Sequence, residues 1–451
     1  MTKIGIECHL QLNTKSKIFC SCSTKQSDKP NSNVCEICCG FPGAKPVLNK
    51  EAFEKALKIA IALNCKINKK TFFSRKSYFY PDLAKNFQIT QYESPLGYQG
   101  NFKGIKIRRI HLEEDPGALI HKTSYCLVDY NRSGIPLVEI VTEPDFKNPK
   151  EVREFLKKLI TDLSYLDVYD KKSEFALKAD LNVSTTGARV EIKNVTGLKD
   201  IEDALNYEIE RQEKDAPKKN ETRGWYSDKG ITSLQRVKES EDDYGYITET
   251  DLPIIEISDS WINEVKKIIP ELSEEKASRF TSDYQLKESD AKILSSNKKL
   301  AHLFEEVAKK VNSDIAAKWI IRDLSNQLNY HKKTLDEANV KPEDMIDLLK
   351  LFEEKKITDN TTKEAMIKLI TEKNFSPKIY IEENNLIMKS DILQIEVWCK
   401  KAIGEFSDAV ESYKNGNERS LNFLVGKVMQ LSHKTANPDV ARKILVKFIK
   451  K

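Results

Sequence analysis

The stretch IGIECHLQL, residues 4–12, has an apolar residue at every even position and carries Glu7 and His9 on the opposite face. A period of two residues is typical of a β-strand with one buried face. The stretches ALKADLNVS (176–184) and ARVEIKN (188–194) alternate in the same way, and a Thr-Thr-Gly turn lies between them. The pattern predicts a hairpin and, with the first stretch, a sheet that has one apolar and one strongly polar face.

Glycine and proline are concentrated in the first part of the chain. Residues 1–253 hold 13 Gly and 11 Pro, whereas residues 254–451 hold 3 and 4. Because both residue types mark turns, the first part should be rich in strands and loops, with helices at 50–63 and 149–166, and the second part should be helical. We therefore expect an α+β protein, in which an all-α domain and a small helical tail follow the strand-rich domain.

The chain has 451 residues, and its net charge of +5 lies at one end. Residues 393–451 contain 11 Lys+Arg and 6 Asp+Glu, which leaves equal numbers of both signs in the preceding 392 residues. A basic tail suits a polyanion such as RNA, but from charge alone a solubilising helical tail is the plainer interpretation. No stretch approaches eighteen apolar residues and the N-terminus has no basic-then-apolar leader, so we expect a cytoplasmic protein without a membrane span.

Eight of the nine cysteines precede residue 127, and four of them have the spacing of a metal site. Cys20 and Cys22 form a C-x-C pair, and Cys35 and Cys38 form a C-x-x-C pair after twelve intervening residues. Four thiolates on two short loops predict a structural zinc site, which has no open position for a substrate. Cys39 is a competing fourth ligand, and buried thiols or a redox pair are the alternative interpretation.

Acidic residues occur where a plain fold has little use for them. Glu7 lies beside His9, HLEEDPG (111–117) is unusually acidic, and Glu139 interrupts an apolar run that predicts a buried strand. A buried carboxylate is costly without a cation or donors. Glutamates with one histidine suit Mg²⁺ or Mn²⁺. The alternative is pairing with arginine, which for Glu113 taken singly is at least as good an explanation.

The sequence lacks the usual nucleotide-binding motifs. It contains neither a phosphate-binding loop of the type GxxxxGK[ST] nor a glycine-rich dinucleotide motif, so any ATP site uses another scaffold. The aromatic stretch RKSYFYPD (75–82) could hold a nucleotide or a terminal RNA base by stacking, or could simply pack on the core. No serine cluster typical of amide hydrolysis is present.

Taken in chain order, the motifs resemble those of the GatB family, whose members belong to tRNA-dependent amidotransferases. The resemblance covers nearly the whole chain and is weakest at about 260–390. It rests on IGIECHLQL, PNSNVCEICCGFPGAKPVLN, RKSYFYPDL, HLEEDPG, VDYNRSGIPLVEIVTEPD, DLNVS, EIKNV, RVKESEDDYGYITETDLP, GNERSLNFLVGKVM and KTANPDVARKIL.

This resemblance implies three domains. They are a cradle-shaped catalytic domain with a glutamine-synthetase-like kinase fold at 1–288, including a zinc-binding loop at 20–38, a helical domain at 289–392, and a YqeY-like tRNA-binding tail at 393–451. It also implies a heterotrimer with GatA and GatC. In that complex ATP phosphorylates the side-chain carboxylate of Glu-tRNA(Gln) and/or Asp-tRNA(Asn). Ammonia from the glutaminase subunit GatA then displaces phosphate, which gives Gln-tRNA(Gln) or Asn-tRNA(Asn).

The resemblance further implies roles for individual residues. Those matching the magnesium-holding and catalytic positions are Glu7, His9, Glu114 and Glu139, with Asp180 as a further catalytic residue. Asp180 and Asn182 are expected to orient ATP or a second metal. Lys178, Arg189 and Lys193 are also expected to contact ATP. The zinc ligands are Cys20, Cys22, Cys35 and Cys38. The implied cofactors are ATP, Mg²⁺ (or Mn²⁺) and structural Zn²⁺.

Two departures and two alternatives accompany this assignment. Ala118 stands where many members of the family have a basic residue, and Lys178-Ala179-Asp180 stands where many have Arg-Cys-Asp. Both departures leave the carboxylates intact but obscure how phosphates are neutralised. The alternatives are a non-catalytic tRNA-binding scaffold held together by zinc, and the paralogous GatE subunit, which carries an inserted domain and a longer chain.

Overall fold

A computed structural model describes residues 2–170, 177–237, 245–388, 392–432 and 435–450. The chain divides into two compact units, Met1–Leu272 and Ser273–Lys451. Within the described ranges, no helix is both long and apolar enough to cross a membrane.

The first unit is built around one large sheet. Its strands are β1 (Lys3–Gln11), β2 (Lys66–Ile67), β3 (Lys70–Thr71), β4 (Ser74–Ser77), β5 (Phe87–Thr90), β6 (Gly97–Phe102), β7 (Ile105–Glu114), β8 (Ala118–His121), β9 (Cys126–Asp129), β10 (Pro136–Thr142), β11 (Leu177–Ser184), β12 (Val190–Val195), β13 (Glu221–Tyr226), β14 (Ile231–Val237), β15 (Gly245–Thr248) and β16 (Ile255–Glu256).

Twelve of these strands, as far as the described ranges show, form the sheet, in the order β14-β13-β12-β11-β1-β10-β7-β5-β4-β15, with β6 also beside β7 and β2 beside β6. Strand β1 therefore lies near the middle, antiparallel to both β10 and β11. The predicted hairpin is confirmed, because β11 and β12 pair antiparallel. The short pairs β3–β16 and β8–β9 lie outside the large sheet.

The described residues of the first unit include four helices, which are α1 (Lys50–Ala62), α2 (Pro149–Tyr165), α3 (Leu198–Lys214) and α4 (Asp259–Lys267). The helices predicted at 50–63 and 149–166 are therefore confirmed. The side chain of Asn49 accepts a hydrogen bond from the backbone of α1, and Asn148 caps α2 in the same way. Such caps satisfy donors that the first helical turn would otherwise leave unpaired.

The apolar face of the sheet packs against these helices. Ile6 and Leu181 are buried on it and belong to the same core as Phe53 of α1 and Leu156 of α2. Burying each such side chain contributes about 2 kcal/mol. With one face covered, the polar face of the central strands is left to form a site.

The second unit is helical throughout its described residues, as the glycine distribution predicted. Its helices are α5 (Ser273–Asp283), α6 (Glu288–Ser295), α7 (Lys298–Ala308), α8 (Ser313–Lys318), α9 (Ser325–Tyr330), α10 (Leu335–Ala338), α11 (Pro342–Glu353), α12 (Asp359–Thr371), α13 (Pro377–Glu383), α14 (Ile392–Glu405), α15 (Ser407–Lys414), α16 (Glu418–Leu431) and α17 (Pro438–Ile449), with a π-helical segment at Trp319–Leu324.

Helices α14, α16 and α17 share a hydrophobic core of their own. Ile395 and Cys399 of α14 pack with Leu424 of α16 and Leu445 of α17, and all four are fully buried. The predicted α+β order, a strand-rich part followed by helical domains, is thus confirmed. The domain ends at 288/289 and 392/393 stay predictions.

Candidate functional site

The polar face of the central strands aligns ionisable side chains in rows. In register, Glu7 of β1 lies opposite Asp180 of β11, and His9 lies opposite Glu139 of β10. Glu139 in turn lies opposite His111 of β7. Because alternate residues of a strand share one face, the alternation read from residues 4–12 places these groups on the side away from the core.

His9, Glu113 and Glu139 form the first of two clusters. His9 Nε2 lies 3.5 Å from Glu139 Oε2 and 3.7 Å from Glu113 Oε1. One donor atom of each residue falls within 4.8 Å of the other two. Both carboxylates are buried. Two buried carboxylates and an imidazole are a donor set that fits Mg²⁺ or Mn²⁺.

The buried groups of this cluster shift one another's pKa. Burial, together with the charge of Glu139, raises the pKa of Glu113 to about 7. Burial alone would lower the pKa of His9, but Glu139 raises it to about 10. Burial lowers the pKa of His111 to about 4, so this imidazole is neutral near pH 7. Glu139 stays ionised, because its hydrogen bond to charged His9 and the guanidinium of Arg109 hold its pKa low against the effect of burial.

Glu7, Asp180 and Glu191 form the second cluster, around Lys193. Lys193 Nζ lies 2.6 Å from Asp180 Oδ2 and also pairs with Glu191. The Asn182 side-chain amide donates to Glu7 Oε1 at 3.0 Å. Burial raises the pKa of Glu7. This second group therefore contains a lysine and an amide donor, whereas in the first Glu139 lies beside His9 and, at 3.6 Å, the guanidinium of Arg109.

Glu114 is not brought to either cluster. Its carboxylate accepts hydrogen bonds from Lys85 Nζ at 2.6 Å and from the backbone N–H of Ile89 at 2.8 Å. Adjacent residues of a strand point to opposite faces, so Glu114 and Glu113 cannot both face His9. The structure puts Glu113 where the sequence prediction put Glu114.

Both clusters lie in one cleft of about 850 Å³. The cations that line it are Lys76, Lys178, Lys193 and Arg132. Lys178 and Lys193 were predicted from sequence, whereas Lys76 and Arg132 were not assigned to the site. Arg189 is not among the described residues that line the cleft, and its backbone N–H donates to Asn220 Oδ1 at 3.1 Å.

Arg132 supplies positive charge near the position where the sequence departs from the family. Its guanidinium donates to the carbonyl oxygens of Pro116 at 2.9 Å and Gly117 at 2.7 Å, immediately before Ala118. It also lies 3.5 Å from Asp115. Arg132 thus places a positive charge on the wall of the cleft next to Ala118, which has none.

His111 is a candidate site residue that the sequence prediction missed. It is fully buried, and neither ring nitrogen has a hydrogen-bond partner among the described residues. Its Nε2 lies 3.4 Å from Glu139 Oε2 and 3.9 Å from Glu113 Oε2. The signal was present in the sequence, because His111 and Glu113 alternate on one strand and so share a face.

The aromatic stretch at 75–82 is divided between the cleft and the surface. Lys76, Tyr78 and Asp82 line the cleft. Arg75 instead forms a bidentate pair with buried Glu249, at 2.7 and 2.8 Å. A nucleobase-stacking role for this stretch stays a prediction.

The four predicted zinc ligands converge. The sulfur atoms of Cys20, Cys22, Cys35 and Cys38 all lie within 4.8 Å of one another. The sulfurs of Cys35 and Cys38 are 3.9 Å apart, close to the edge of about 3.8 Å expected for a tetrahedron with Zn–S bonds of about 2.3 Å. Cys39 does not belong to this group among the described residues. The donor set therefore fits zinc.

Cys38 is an acidic thiol. A hydrogen bond from Cys20, the backbone N–H of Cys35 at 3.2 Å and the ammonium of Lys17 together lower its pKa to about 4, against the effect of burial. A thiol with a low pKa loses its proton readily, and the resulting thiolate is the form that a metal binds.

A non-catalytic scaffold would leave the acidic side chains scattered beyond the reach of one ion. Here His9, Glu113 and Glu139 converge, and Glu7 and Asp180 line the same cleft. The geometry therefore favours a catalytic role over the scaffold alternative.

Comparison with protein families gives two matches. Residues 2–263 match the family model described as the GatB/GatE catalytic domain. Residues 302–449 match the model described as the GatB domain, named for YqeY.

Full-length relatives agree with these matches. The chain is 42% identical to the GatB subunit of the aspartyl/glutamyl-tRNA(Asn/Gln) amidotransferase of Thermoanaerobacter pseudethanolicus, over 98% of both chains. The corresponding subunit of Thermotoga maritima is also 42% identical, over 99% of this chain and 98% of its own. That of Carboxydothermus hydrogenoformans is 40% identical, over 98% and 97%.

Proposed function

Because the chain belongs to the GatB/GatE family, as a GatB subunit of aspartyl/glutamyl-tRNA amidotransferase, we propose that its cleft activates the carboxylate of a misacylated tRNA. Such a subunit is part of a ligase complex with further subunits. The observation that carries the assignment of the reaction to this cleft is the convergence of His9, Glu113 and Glu139.

The reaction proceeds in two steps. A carboxylate oxygen of Glu-tRNA(Gln) or Asp-tRNA(Asn) attacks the γ-phosphorus of ATP, and the bond to ADP breaks. Ammonia then attacks the acyl carbon, inorganic phosphate leaves, and an amide remains. Phosphorylation is needed because an unmodified carboxylate would have to expel oxide. We assign the ammonia to a glutaminase subunit, GatA, and a third subunit, GatC, to the same complex.

The first cluster is the proposed site of a divalent cation. Glu113 and Glu139 would hold Mg²⁺ or Mn²⁺ with His9, whose imidazole would lose its proton when the ion binds. Glu7 lies in the same cleft. The bound ion would neutralise charge on phosphate and carboxylate oxygens. The raised pKa of Glu113 supports this assignment, because burial and the neighbouring Glu139 carboxylate disfavour its ionised form, which a bound cation would stabilise.

The chain's own cations complete the proposed site. Lys178, Lys193 and Arg132 face the cleft and would bind phosphate oxygens. Lys193 is held by Asp180, whose other oxygen accepts the backbone N–H of Asn194 at 2.8 Å. Asp180 thereby positions Lys193. The proposed site includes neither a phosphate contact from Arg189 nor a metal contact from Glu114.

The cysteine group is the proposed zinc site. Cys20, Cys22, Cys35 and Cys38 would occupy all four tetrahedral positions, so the ion would tie the loop together and take no part in the reaction. The separate, fully buried core of α14, α16 and α17 supports the tail as a module of its own, for which we propose tRNA binding.

A reconstituted amidotransferase complex tests this function with ATP, glutamine and either Glu-tRNA(Gln) or Asp-tRNA(Asn). Glu139→Gln should reduce amide formation by at least about 100-fold, because the carboxylate between two imidazoles is lost, and should leave glutamine hydrolysis by the partner within about twofold. Glu143→Gln is a matched control on the exposed pair with Arg108. Unchanged amide formation in Glu139→Gln would contradict the proposal. The rates of amide formation on the two tRNAs, compared in the wild-type complex, identify the substrate.

A further inference from the structure

Lys17 has no exposed side-chain surface, although it lies outside the cleft that the reaction uses. A buried ammonium group is costly unless it is paired and hydrogen-bonded. Among the described residues, no carboxylate forms an ion pair with Lys17. Its position therefore requires another explanation.

The ammonium of Lys17 joins two segments that are distant in sequence. Lys17 Nζ donates to Cys38 Sγ at 3.6 Å and to the carbonyl oxygen of Tyr130 at 3.2 Å. Its backbone N–H donates to the carbonyl oxygen of Cys22 at 2.9 Å. One residue thus contacts both cysteine loops and the turn at 129–134.

Further hydrogen bonds fix the same turn to the cysteine loop. Asn31, which has a φ of 55°, donates from its backbone to Asp129 Oδ1 at 2.9 Å and accepts from the backbone of Tyr130 at 2.8 Å. Ser133 Oγ donates to the carbonyl oxygen of Cys38 at 3.3 Å. These hydrogen bonds therefore tie the 129–134 turn to the cysteine loop.

The opposite side of the 129–134 turn is a wall of the cleft. Arg132 lines the cleft and donates to the carbonyl oxygens of Pro116 and Gly117. The backbone N–H of Gly134 donates to the carbonyl oxygen of Asp115 at 2.8 Å. Any displacement of the turn would move Arg132 relative to the acidic clusters.

We propose that Lys17 is a positioning residue that couples the four-cysteine group to the 129–134 turn and so fixes Arg132 in the cleft. Four thiolates around Zn²⁺ carry a net charge of −2, and the buried ammonium compensates part of it. Fixing Arg132 matters because the guanidinium would otherwise have to be ordered when phosphate binds. The inference rests on the proposed function only for the role of Arg132 towards phosphate.

The test compares Lys17→Met with Lys15→Met, an exposed lysine on the same loop, in the assembled complex. We expect Lys17→Met to lose zinc to a chromogenic chelator at least about tenfold faster. We also expect hydrogen exchange at 129–134 to accelerate, and the KM for ATP to rise about tenfold with kcat changed less than about threefold. Lys15→Met should behave as wild type in all three measurements.

Ser133→Ala keeps the proposal testable if Lys17→Met does not fold. It removes a second link between the same two segments without removing a charge, and should accelerate exchange at 129–134 more than elsewhere. Faster zinc loss with unchanged exchange at 129–134 would overturn the coupling, since Lys17 would then serve the cysteines alone. Zinc release and hydrogen exchange do not depend on amide formation, so a failure of the proposed function would be distinguished from a failure of this inference.

Discussion

The ammonium of Lys85 lies 2.6 Å from the carboxylate of Glu114, on the face of β7 opposite to Glu113. Both side chains are largely buried, and a backbone N–H satisfies the second oxygen of Glu114. Glu114 is thus already paired, whereas Glu113 faces His9 and Glu139. The two adjacent glutamates therefore have different roles. We expect substitution of Glu113 to affect metal binding and substitution of Glu114 to affect stability.

Glu113→Gln should weaken binding of Mn²⁺ by at least about tenfold, because one of two carboxylate ligands is lost. Glu114→Gln should leave that affinity within about threefold but lower the melting temperature by at least about 5 °C, since it leaves the Lys85 ammonium buried without its carboxylate. Titration calorimetry and thermal denaturation measure the two effects. The reverse pattern would return the metal role to Glu114.

The same substitution at Glu113 should stabilise the protein when divalent cations are omitted. The pKa of Glu113 is raised from 4.5 to about 7, so its stability contribution is complete below pH 4.5 and is lost as the pH rises through 7. Glu113→Gln removes this loss. We expect a higher melting temperature than wild type at pH 8 and little difference at pH 4.5; an equal difference at both pH values would contradict this account.

His111→Ala should weaken Mn²⁺ binding by about tenfold, because an imidazole 3.4 Å from Glu139 is suited to hold that carboxylate in place. His121→Ala, at an exposed position on β8, is the control and should leave binding unchanged. Manganese affinity measured by electron paramagnetic resonance decides the matter. Equal affinities in the two variants would remove His111 from the site.

Cys22→Ser should release zinc and lower the melting temperature of the first unit, because one of four thiolates is lost. Cys39→Ser should retain one zinc per chain, since Cys39 lies outside the converging group. Zinc content by atomic absorption, together with a melting curve, checks both. Zinc lost equally from both variants would mean that Cys39 is a ligand.

Deletion of residues 393–451 should weaken tRNA binding and leave glutamine hydrolysis by the partner unchanged. The deleted segment carries 11 Lys+Arg against 6 Asp+Glu, and it has a core of its own. Neutralised phosphates release counterions, so the loss should be largest at low salt. Identical tRNA affinities across a salt series would show that the tail is only a solubilising module.

Residue spacing was enough to predict the elements with regular patterns. The alternation around Glu7 and His9 predicted β1 and its polar face, and the two cysteine pairs predicted a group that converges. Absence of glycine predicted the helical second unit. These features depend on neighbours within a few residues, which a sequence displays directly.

The choice between Glu113 and Glu114 depends on distant pairing instead. Pro136 lies opposite Glu114, and the register between β7 and β10 shifts near Thr142. A slip of one residue would exchange the two faces, and nothing local to HLEED decides it. Burial of Lys17 is similarly set by the turn at 129–134, more than a hundred residues away.

The central position of β1 also determines when the protein can fold. Strand β1 leaves the ribosome before both of its partners, which are β10, completed at Thr142, and β11, completed at Ser184. At about 5–20 residues per second, its partners emerge roughly 7–35 s later. During that interval an apolar strand face remains uncovered, so synthesis of this protein should depend on chaperones that hold nascent chains.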